Sequence, residues 1–488
     1  MNKYIIFSVT ILLGLGWLYS FHYGPWLVAE NEFFILLIPL ILCLKLLSFK
    51  KLKTNEIIFF PLVMLFFSFV QYLIIDYYFL EDFILVSIYM LFIILMLIIT
   101  QNIKSKRCIF LSLFFILLLC SINSVIVLFQ YFDIKNIFIL WHSGDHRFYG
   151  NIGQPNHLST LFMIGIVSSL ILYKFKKIKI KILYIISIYF TFFVFLTGSR
   201  TGWLTLLFLL FLSIILKSKK NIKFNFKFFG ILNIVYLIYS YSFSYNSRNI
   251  VKGVSSALHD SRFDLWMDSV SSIFANPWVG YGINGVRTSR LFSNLNFKTP
   301  YVSSHNIILD FFLWFGVFGG IVLIFYLIII FIRIIKDKTY SYEILLFLTP
   351  FIIHSFLEYP FRYLYFLILV IPAFAFSKSF KVYQISRVTF LLLFFFYTIL
   401  VSFLYLEFDK YSRGAFFAQF QKCEISEIFE EPILMDLMYD YSKLYCNTLT
   451  EHEMRRVTYR YAYPIHIEYY IQNGFYDKKL NQNKDESF

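Results

Sequence analysis

The chain has 488 residues, of which 59% are hydrophobic, 22% are aromatic and only 15% are charged. A soluble protein of ordinary composition carries roughly a quarter charged residues, so this composition argues against a soluble enzyme. The net charge of +15 would suggest nucleic-acid binding in a soluble chain. In this chain, however, the basic residues are concentrated in particular loops, so the net charge has a different explanation.

Apolar runs close to the length that crosses a bilayer, roughly 18 residues or more, recur along most of the chain. No small-x-small cleavage pattern follows the first run, so we expect an uncleaved helix there rather than a signal peptide. The sequence therefore predicts an all-α polytopic membrane protein with about 13 transmembrane helices. In chain order the runs cover residues 3–20, 27–47, 57–78, 82–100, 108–132, 157–173, 180–197, 202–216, 229–245, 305–333, 343–357, 361–376 and 388–406.

The charges of the loops predict which side of the membrane each loop faces. Six loops share 22 Lys and Arg residues, whereas the short loops between them contain only Lys135, Arg147 and Arg200. By the positive-inside rule the Lys-rich loops are cytoplasmic and the others face outward. The basic excess is therefore a signal of topology, and nucleic acid is not an expected partner. The Lys-rich loops are residues 48–56, 101–107, 174–181, 217–228, 333–342 and 377–387.

This topology divides the chain into four predicted parts. An odd number of crossings from a cytoplasmic N-terminus places the C-terminal tail on the outer side, together with the longest loop. The tail is mixed in charge and rich in Tyr, and we expect it to form short helices outside the membrane. The parts are helices 1–9 in 1–245, a large outer loop in 246–304, helices 10–13 in 305–406 and the helical tail in 407–488.

The stretch GNIGQPNHLS (150–159) sets polar residues at the predicted outer end of helix 6. Gly and Pro are typical of a turn, and Asn156 is predicted to cap the helix. That structural interpretation leaves Gln154 and His157 unexplained, because unpaired polar groups buried near a membrane cost free energy. Both are therefore candidate substrate-binding residues, and a simple loop with a helix start is the alternative.

Two outward arginines are candidate ligands for an anion. Arg200 lies in the tight turn of LTGSRTGW (196–203), where snorkelling at the interface is the alternative role. Arg262 lies in the long outer loop, where a solvated charge on a helix is the alternative. A guanidinium binds phosphate as a bidentate fork, so the two arginines together suggest a phosphate site.

The segment around Arg262 has the pattern of an amphipathic helix lying over the outer face. Its apolar residues recur with helical spacing at Phe263, Trp266, Met267 and Val270. Asp264 and Asp268 share one face of this helix and suggest a metal site as an alternative, but two carboxylates alone are weak evidence for one. We therefore expect no bound metal.

His305 follows two serines in SSHNIILDFFLWFGVFGG (303–320), which opens helix 10. Ser303 or Ser304 is predicted to cap the helix, which would place His305 in its first turn at the membrane surface. A lone His is often structural. At this position, near two outward arginines, it is a candidate general base, because its ordinary pKa suits proton transfer near neutrality.

A transporter is the alternative from a different class, since many polytopic proteins move a solute. Transporters keep polar or ionisable groups near the midplane of the membrane, often where helices are broken by Gly or Pro. The predicted helices are mainly Leu, Ile and Phe at their centres, and the sequence has no evident internal repeat. The pattern therefore favours an enzyme whose site lies at the outer surface.

In this order on a polytopic chain, four motifs resemble the O-antigen ligase and polymerase (Wzy-C) superfamily. Within it, the chain is most similar to the bacterial protein O-oligosaccharyltransferases that glycosylate pilins. The stretch LEYPFRY (357–363) also resembles a late outer loop of those enzymes. The resemblance implies an enzyme of the bacterial inner membrane with a periplasmic site, transferring a glycan from undecaprenyl-diphosphate without metal or cofactor. The four motifs are GNIGQPNHLS, GSRTG, R-x-x-x-W with NPWVGYG, and SSHNIILD.

The resemblance also implies a role for individual residues. Arg200 and Arg262 correspond to arginines that bind the donor diphosphate, and His305 corresponds to the catalytic histidine. Gln154 corresponds to the glutamine of the first motif and Tyr359 to the tyrosine of the late outer loop, both as substrate-binding residues. The implied acceptor is a Ser or Thr hydroxyl of a periplasmic, pilin-like protein. Two alternatives stay open, an O-antigen ligase acting on lipid A-core and an O-antigen polymerase.

Cysteine positions give one more expectation. Of the five cysteines, only Cys423 and Cys446 fall in the tail, which the loop charges place in an oxidising compartment. We therefore expect a disulfide between them, with two separate buried thiols as the alternative. Closing a loop of this length would stabilise the tail by roughly 3 kcal/mol.

Overall fold

The computed structural model describes residues 3–22, 28–76, 78–140, 147–215, 222–244, 261–283, 285–289 and 301–418, with Tyr439 and Lys443. In this part of the chain a helix lies in each of the predicted apolar runs, and one further helix, α10, lies in the long loop. The helices are α1 (Lys3–Leu18), α2 (Ala29–Leu46), α3 (Phe59–Ile74), α4 (Leu80–Ile103), α5 (Lys106–Tyr131), α6 (Pro155–Lys174), α7 (Ile180–Leu196), α8 (Arg200–Ile215), α9 (Ile222–Ser244), α10 (Ser261–Ala275), α11 (Ile307–Ile335), α12 (Ser341–Ser355), α13 (Leu364–Phe376) and α14 (Arg387–Ala418).

The chain is mostly helical and is built as a multi-pass membrane protein. Among the described residues, 6 helices are long and apolar enough to cross a membrane by length and composition, and shorter apolar helices accompany them. The count of about 13 crossings stays a prediction. Cys423 and Cys446, and nearly all of the tail that carries them, lie outside the described residues.

Two short strands make the all-α prediction incomplete. β1 (Leu52–Asn55) pairs antiparallel with β2 (Val382–Ile385), with Leu52 opposite Ile385 and Asn55 opposite Val382. Four-residue segments in polar loops carry no helical or alternating pattern long enough to be recognised from sequence. Both strands fall in loops that the charge pattern placed on the same side of the membrane.

Contacts between loops group them at two ends of the bundle, as the charge pattern predicted. At the Lys-rich end, Lys104 Nζ donates to the carbonyl of Ala375 at 3.0 Å, and Lys174 forms an ion pair with Glu343. At the other end Glu358, in the loop after α12, lies 3.0 Å from His305, which precedes α11 by two residues, and accepts from Asn156 in the first turn of α6 at 2.8 Å. We call these the Lys-rich end and the site end.

Helix α6 is the central helix of the bundle. Every residue from Asn156 to Leu172 is buried, and the ring of Phe162 packs against those of Phe190 and Phe193 from α7. Around the outside, large apolar side chains are exposed, such as Phe325 at 63%. Apolar residues on both surfaces of the outer helices are expected where the solvent is lipid rather than water.

Helix α11 is broken at Gly316, whose φ of 68° lies in the left-handed region. The break lets the turn after α10 enter the gap, because Val317 donates its backbone N–H to the carbonyl of Pro277 at 2.6 Å. Gln71 from α3 donates to the carbonyl of Val279 at 2.7 Å and also to that of Trp314. The end of α11 that follows His305 is therefore fixed to both α3 and the turn after α10.

Candidate active site

A single buried carboxylate, that of Glu358, joins the segments predicted to lie on the outer side. Its Oε1 accepts from Arg262 Nη2 at 2.6 Å and from Asn156 Nδ2 at 2.8 Å. Its Oε2 lies 3.0 Å from His305 Nδ1 and 3.5 Å from Gln154 Nε2. Three of the predicted site residues, Gln154, Arg262 and His305, therefore meet at one acidic group.

The start of α6 presents two amides to this carboxylate. Pro155 takes the first helical position, where its missing N–H is no loss. Gln154 precedes it, and its Oε1 is buried without a hydrogen-bond partner. The prediction that Asn156 caps the helix is wrong: Asn156 lies inside the first turn, and its side chain points to Glu358 instead.

His305 precedes α11 rather than lying in its first turn, so the predicted cap is also wrong. The cap is Asn306, whose Oδ1 accepts a backbone N–H of the first turn at 3.0 Å. Ser303 and Ser304 instead donate their hydroxyls to Asp310, each at 2.6 Å, because this carboxylate is buried one turn into the helix. His305 itself has a φ of 58°, a strained conformation for a residue with a Cβ.

Helix α10 carries Arg262 to the site and is attached beside His305. The indole of Trp266 donates to the carbonyl of Ser304 at 3.1 Å, and Arg262 reaches Glu358 from one turn earlier. Because these two residues are four apart, they lie on the same side of the helix. Arg262 and Trp266 therefore attach one side of α10 to the site.

The buried face of α10 is not its large apolar side. Phe263 and Met267 are exposed, at 65% and 51%, whereas Leu265, Ser269 and Ser272 are buried. Ser272 donates to the carbonyl of Ser289 at 3.2 Å, so the small polar side of the helix faces the protein. The apolar side is turned outward, as it is on the lipid-facing helices.

Arg200 is the first residue of α8, and its side chain is exposed. The turn before it is joined to the site, because Ser199 Oγ donates to Asn156 Oδ1 at 2.8 Å. Arg147 donates to the same oxygen at 3.0 Å and to the carbonyl of Thr197 at 3.2 Å. The structure therefore brings the backbone of the predicted Arg200 turn next to the site and adds Arg147, which the sequence reasoning missed.

Tyrosine rings surround the imidazole of His305. The centroid of Tyr359 lies 4.9 Å away and that of Tyr301 lies 5.4 Å away, both edge-on. Burial raises the pKa of Tyr359, and the charge of Glu358 raises it further. Tyr359 is therefore a neutral hydrogen-bonding group beside the histidine.

His157 lies beneath this group, in the interior of the bundle. It is 2% exposed, and its Nδ1 is 2.9 Å from the hydroxyl of Tyr365. Its ring lies 5.2 Å from that of His354, whose Nδ1 is 2.8 Å from the hydroxyl of Thr160. If His157 binds substrate as predicted, it would do so from the buried interior of the bundle rather than at the open surface.

Positive groups keep Glu358 ionised although it is buried. Burial alone would raise its pKa, but the nearby His305, with the charge of Arg262, lowers the pKa to about 2. The site is therefore a fixed carboxylate held between a guanidinium and an imidazole. When the imidazole of His305 is neutral with its proton on Nδ1, facing Glu358, Nε2 is the nitrogen able to accept a proton.

A second buried carboxylate positions the loop that carries Glu358. Glu32 of α2 accepts from the backbone N–H of Leu364 at 3.0 Å and from the hydroxyl of Tyr89 at 3.1 Å. Because Leu364 is the first residue of α13, this contact fixes the end of the loop after Glu358. The position of Glu358 in the site thus depends on α2 as well as on the loop that carries Glu358.

Metal ligands are sparse in the described part of the chain. No group of three or more His, Cys, Asp or Glu side chains arranged to hold a metal ion occurs there. Asp264 is exposed and Asp268 is buried, so the two carboxylates of the alternative metal site lie in different surroundings. The arrangement at Glu358 instead places one guanidinium and one imidazole beside a single carboxylate.

Two family models match this chain. A model described as O-antigen ligase matches residues 185–324, which include Arg200, Arg262 and His305. A model described as protein glycosylation ligase matches residues 149–173, which include Gln154 and His157. Both models thus fall on segments that meet at the site.

Two proteins of Acinetobacter baylyi are similar to this chain. One is named ComP-specific O-oligosaccharyltransferase, is 27% identical over 350 residues and is matched over 67% of this chain and 62% of its own length. The other is named general O-oligosaccharyltransferase, is 27% identical over 402 residues and is matched over 75% of this chain and 68% of its own length. The match thus spans about two thirds of each relative. The chain therefore resembles the O-antigen ligase superfamily and, within it, the bacterial protein O-oligosaccharyltransferases, as the sequence motifs predicted.

Proposed function

We propose that this protein transfers an oligosaccharide en bloc from undecaprenyl-diphosphate to a Ser or Thr hydroxyl of a periplasmic, pilin-like protein. It would act in the bacterial inner membrane with the site end facing the periplasm. One observation carries the proposal: His305 and Arg262 contact the same buried carboxylate, Glu358, beside the turn that leads to Arg200. The names of the two relatives and the loop charges support it.

His305 is the proposed general base. The acceptor hydroxyl attacks the anomeric carbon of the first sugar, the bond from that carbon to the diphosphate oxygen breaks, and the hydroxyl proton passes to Nε2 of His305. Glu358, whose Oε2 lies 3.0 Å from Nδ1, would favour the tautomer that carries the proton on Nδ1, which leaves Nε2 free to accept. The products are the O-glycosylated protein and undecaprenyl-diphosphate.

Arg200 and Arg262 are the proposed ligands of the donor diphosphate. Negative charge grows on the diphosphate as it leaves, and preorganised guanidinium groups stabilise that charge where it forms. A guanidinium has five N–H donors, so one arginine can contact a carboxylate and a phosphate oxygen at the same time. With these cations in place the reaction would need no metal or cofactor.

Gln154, His157 and Tyr359 complete the proposed site as substrate-binding residues. Gln154 has a buried acceptor oxygen without a partner, and an unpaired buried polar atom costs free energy until a ligand satisfies it. A sugar hydroxyl is a suitable donor for it. Tyr359, neutral and beside His305, can orient either the sugar or the acceptor hydroxyl, and His157 lies below both.

The experiment uses the purified full chain with an undecaprenyl-diphosphate-linked glycan and a pilin-like protein. We expect the intact mass of the protein acceptor to rise by one whole glycan, and His305→Asn to abolish the gain. The match to an O-antigen ligase model makes transfer to lipid A-core the second candidate. Transfer only to lipid A-core would favour the ligase, growth of the lipid-linked glycan would favour a polymerase, and no transfer to any acceptor would contradict the proposal.

A further inference from the structure

A second feature of the molecule lies at the Lys-rich end, away from the site. It is a cavity of about 300 Å³ between α1, α2, α4, α5, α6, α12 and α13. Its walls are almost wholly apolar and include Val9 of α1, Thr100 of α4 and Ile116 of α5. This volume is at the lower end of ligand pockets in proteins, roughly 300–1,000 Å³.

The walls of this cavity select a hydrocarbon occupant. A buried water needs two to four polar partners. Thr100, one of the few hydroxyl groups in the walls, already donates to the carbonyl of Met96 at 2.7 Å within its own helix. A water molecule in the cavity would therefore have few hydrogen-bond partners, whereas an alkyl chain needs none.

Lysines stand where the cavity reaches the end of the bundle. Lys104 and Lys106 belong to its lining, and both side chains are exposed. Partial burial lowers the pKa of Lys104, and the nearby positive charges of Lys53 and Lys378 lower it further. The acidic residue of the lining, Glu343, is already paired with Lys174.

We propose that this cavity binds one acyl chain of an anionic membrane phospholipid, whose phosphate pairs with Lys104 and Lys106. Basic pockets between transmembrane helices on the cytoplasmic side are a general means of binding anionic headgroups. Here the hydrocarbon slot and the cationic mouth adjoin each other, so one lipid molecule satisfies both.

A polyprenyl phosphate has similar chemistry, but the position of the cavity favours a bilayer phospholipid. Helix α5 runs from Lys106 at the mouth to Tyr131 at the opposite end. At about 1.5 Å per residue this length separates the mouth from the site end by roughly 35–40 Å. A carrier lipid bound here would hold its phosphate far from His305 and Arg262. The proposal therefore does not depend on the proposed function.

The test measures lipid retained by the purified full chain with native mass spectrometry. Phosphatidylglycerol, phosphatidylcholine with matched chains and undecaprenyl phosphate are titrated separately. We expect phosphatidylglycerol to bind more tightly than phosphatidylcholine. The double variant Lys104→Gln and Lys106→Gln should lose this preference, about fivefold in affinity per lysine. Thr100→Phe, which fills the cavity, should weaken both phospholipids.

The matched control removes two lysines at the same end but away from the cavity, Lys179→Gln and Lys181→Gln. These side chains are exposed at the start of α7, and the preference for phosphatidylglycerol should survive their removal. Equal loss in the control would mean a diffuse attraction to the surface and would overturn the site. Tightest binding of undecaprenyl phosphate, lost in Thr100→Phe, would overturn the phospholipid assignment. Unfolding temperature measured for each variant separates loss of lipid from loss of fold.

Discussion

Nδ1 of His305 lies 3.0 Å from Oε2 of Glu358, although 53 residues and two apolar helices separate them in the chain. His305 is held there in a left-handed backbone conformation, with its amide N–H donating to Ser303 at 3.0 Å. A strained residue whose surroundings fix it this firmly is more often found at functional sites than elsewhere.

Replacing His305 by Asn should abolish glycan transfer while the protein still folds. Asn is the residue with a Cβ that best tolerates the left-handed conformation, and its amide can still donate to Glu358. The base is lost, and loss of a general base lowers the rate by roughly 10²–10⁴-fold. Transfer is measured as the mass gain of the acceptor. Wild-type transfer by this variant, at an unchanged unfolding temperature, would remove His305 from the mechanism.

Arg262→Lys and Arg200→Lys should each lower transfer strongly. Lysine keeps the charge but loses the fork that binds phosphate with two parallel hydrogen bonds. The control is Arg333→Lys at the Lys-rich end, where Arg333 pairs with Glu56 at 3.2 Å, and its transfer should stay at the wild-type rate.

EDTA should leave the purified enzyme active. Activity that EDTA abolishes and a divalent ion restores would instead support a metal site, with Asp264 and Asp268 as the first candidates.

Glu358→Gln should reduce both transfer and stability, and the loss of stability should depend on pH. The pKa of Glu358 is lowered from 4.5 to about 2 in the folded protein. A carboxyl with a lowered pKa contributes stability that is complete above its unfolded pKa and is lost as the pH falls from about 4.5 towards 2. The full contribution is roughly 3 kcal/mol.

The unfolding temperatures of wild type and Glu358→Gln should therefore differ by a constant amount from pH 7 to about 5 and converge below pH 4. Arg262, His305 and His354 are the charged or titratable groups whose charges act on Glu358. A gap that stays the same at pH 3 as at pH 6 would mean that the carboxylate is not the source of the difference.

Gly316→Ala should destabilise the outer end of α11. A Cβ there would lie 2.6 Å from the carbonyl of Trp278, and the φ of 68° is itself strained for alanine. The expected cost is about 1–3 kcal/mol or more, seen as a lower unfolding temperature. Gly230 in α9 is the control, since a Cβ there meets nothing within 4 Å, and Gly230→Ala should not lower stability. Equal effects of the two variants would contradict the role given to the break.

The disulfide between Cys423 and Cys446 stays a prediction. If it forms, non-reducing peptide mapping of the purified protein should recover the two cysteines in one linked species, and reduction should separate them. Two freely alkylated thiols would count against it. Labelling of the tail from the cytoplasm would overturn the outward topology as well.

Sequence predicted the helices better than it predicted the site. Helices follow from runs of apolar residues, a local signal that the bilayer amplifies because it demands long hydrophobic segments. Arg262 and His305 were proposed from their chemistry and side of the membrane. The sequence did not predict that they meet at Glu358. A single carboxylate in a short loop gives the same sequence pattern whether it is solvated or buried.

Two local features could not be predicted, each for its own physical reason. Ser303 and Ser304 have the composition of a helix cap, but the buried Asp310 competes for their hydroxyls, and Asn306 caps the helix instead. The sequence also predicted that α10 is amphipathic without showing which side is buried, and the side with Phe263 is exposed. In a membrane protein the apolar side has two possible environments, so periodicity identifies the faces of a helix without assigning them.

The pairing of β1 with β2 has a consequence for how the chain matures. The two strands are more than three hundred residues apart in sequence, yet Leu52 lies directly opposite Ile385. Because synthesis proceeds from the N-terminus, β1 is made before β2. It therefore stays unpaired while α3 to α13 are inserted. Contacts between residues so distant in sequence form late and slowly. The Lys-rich end would therefore close last, after the elements that hold His305, Arg262 and Glu358 have all entered the membrane.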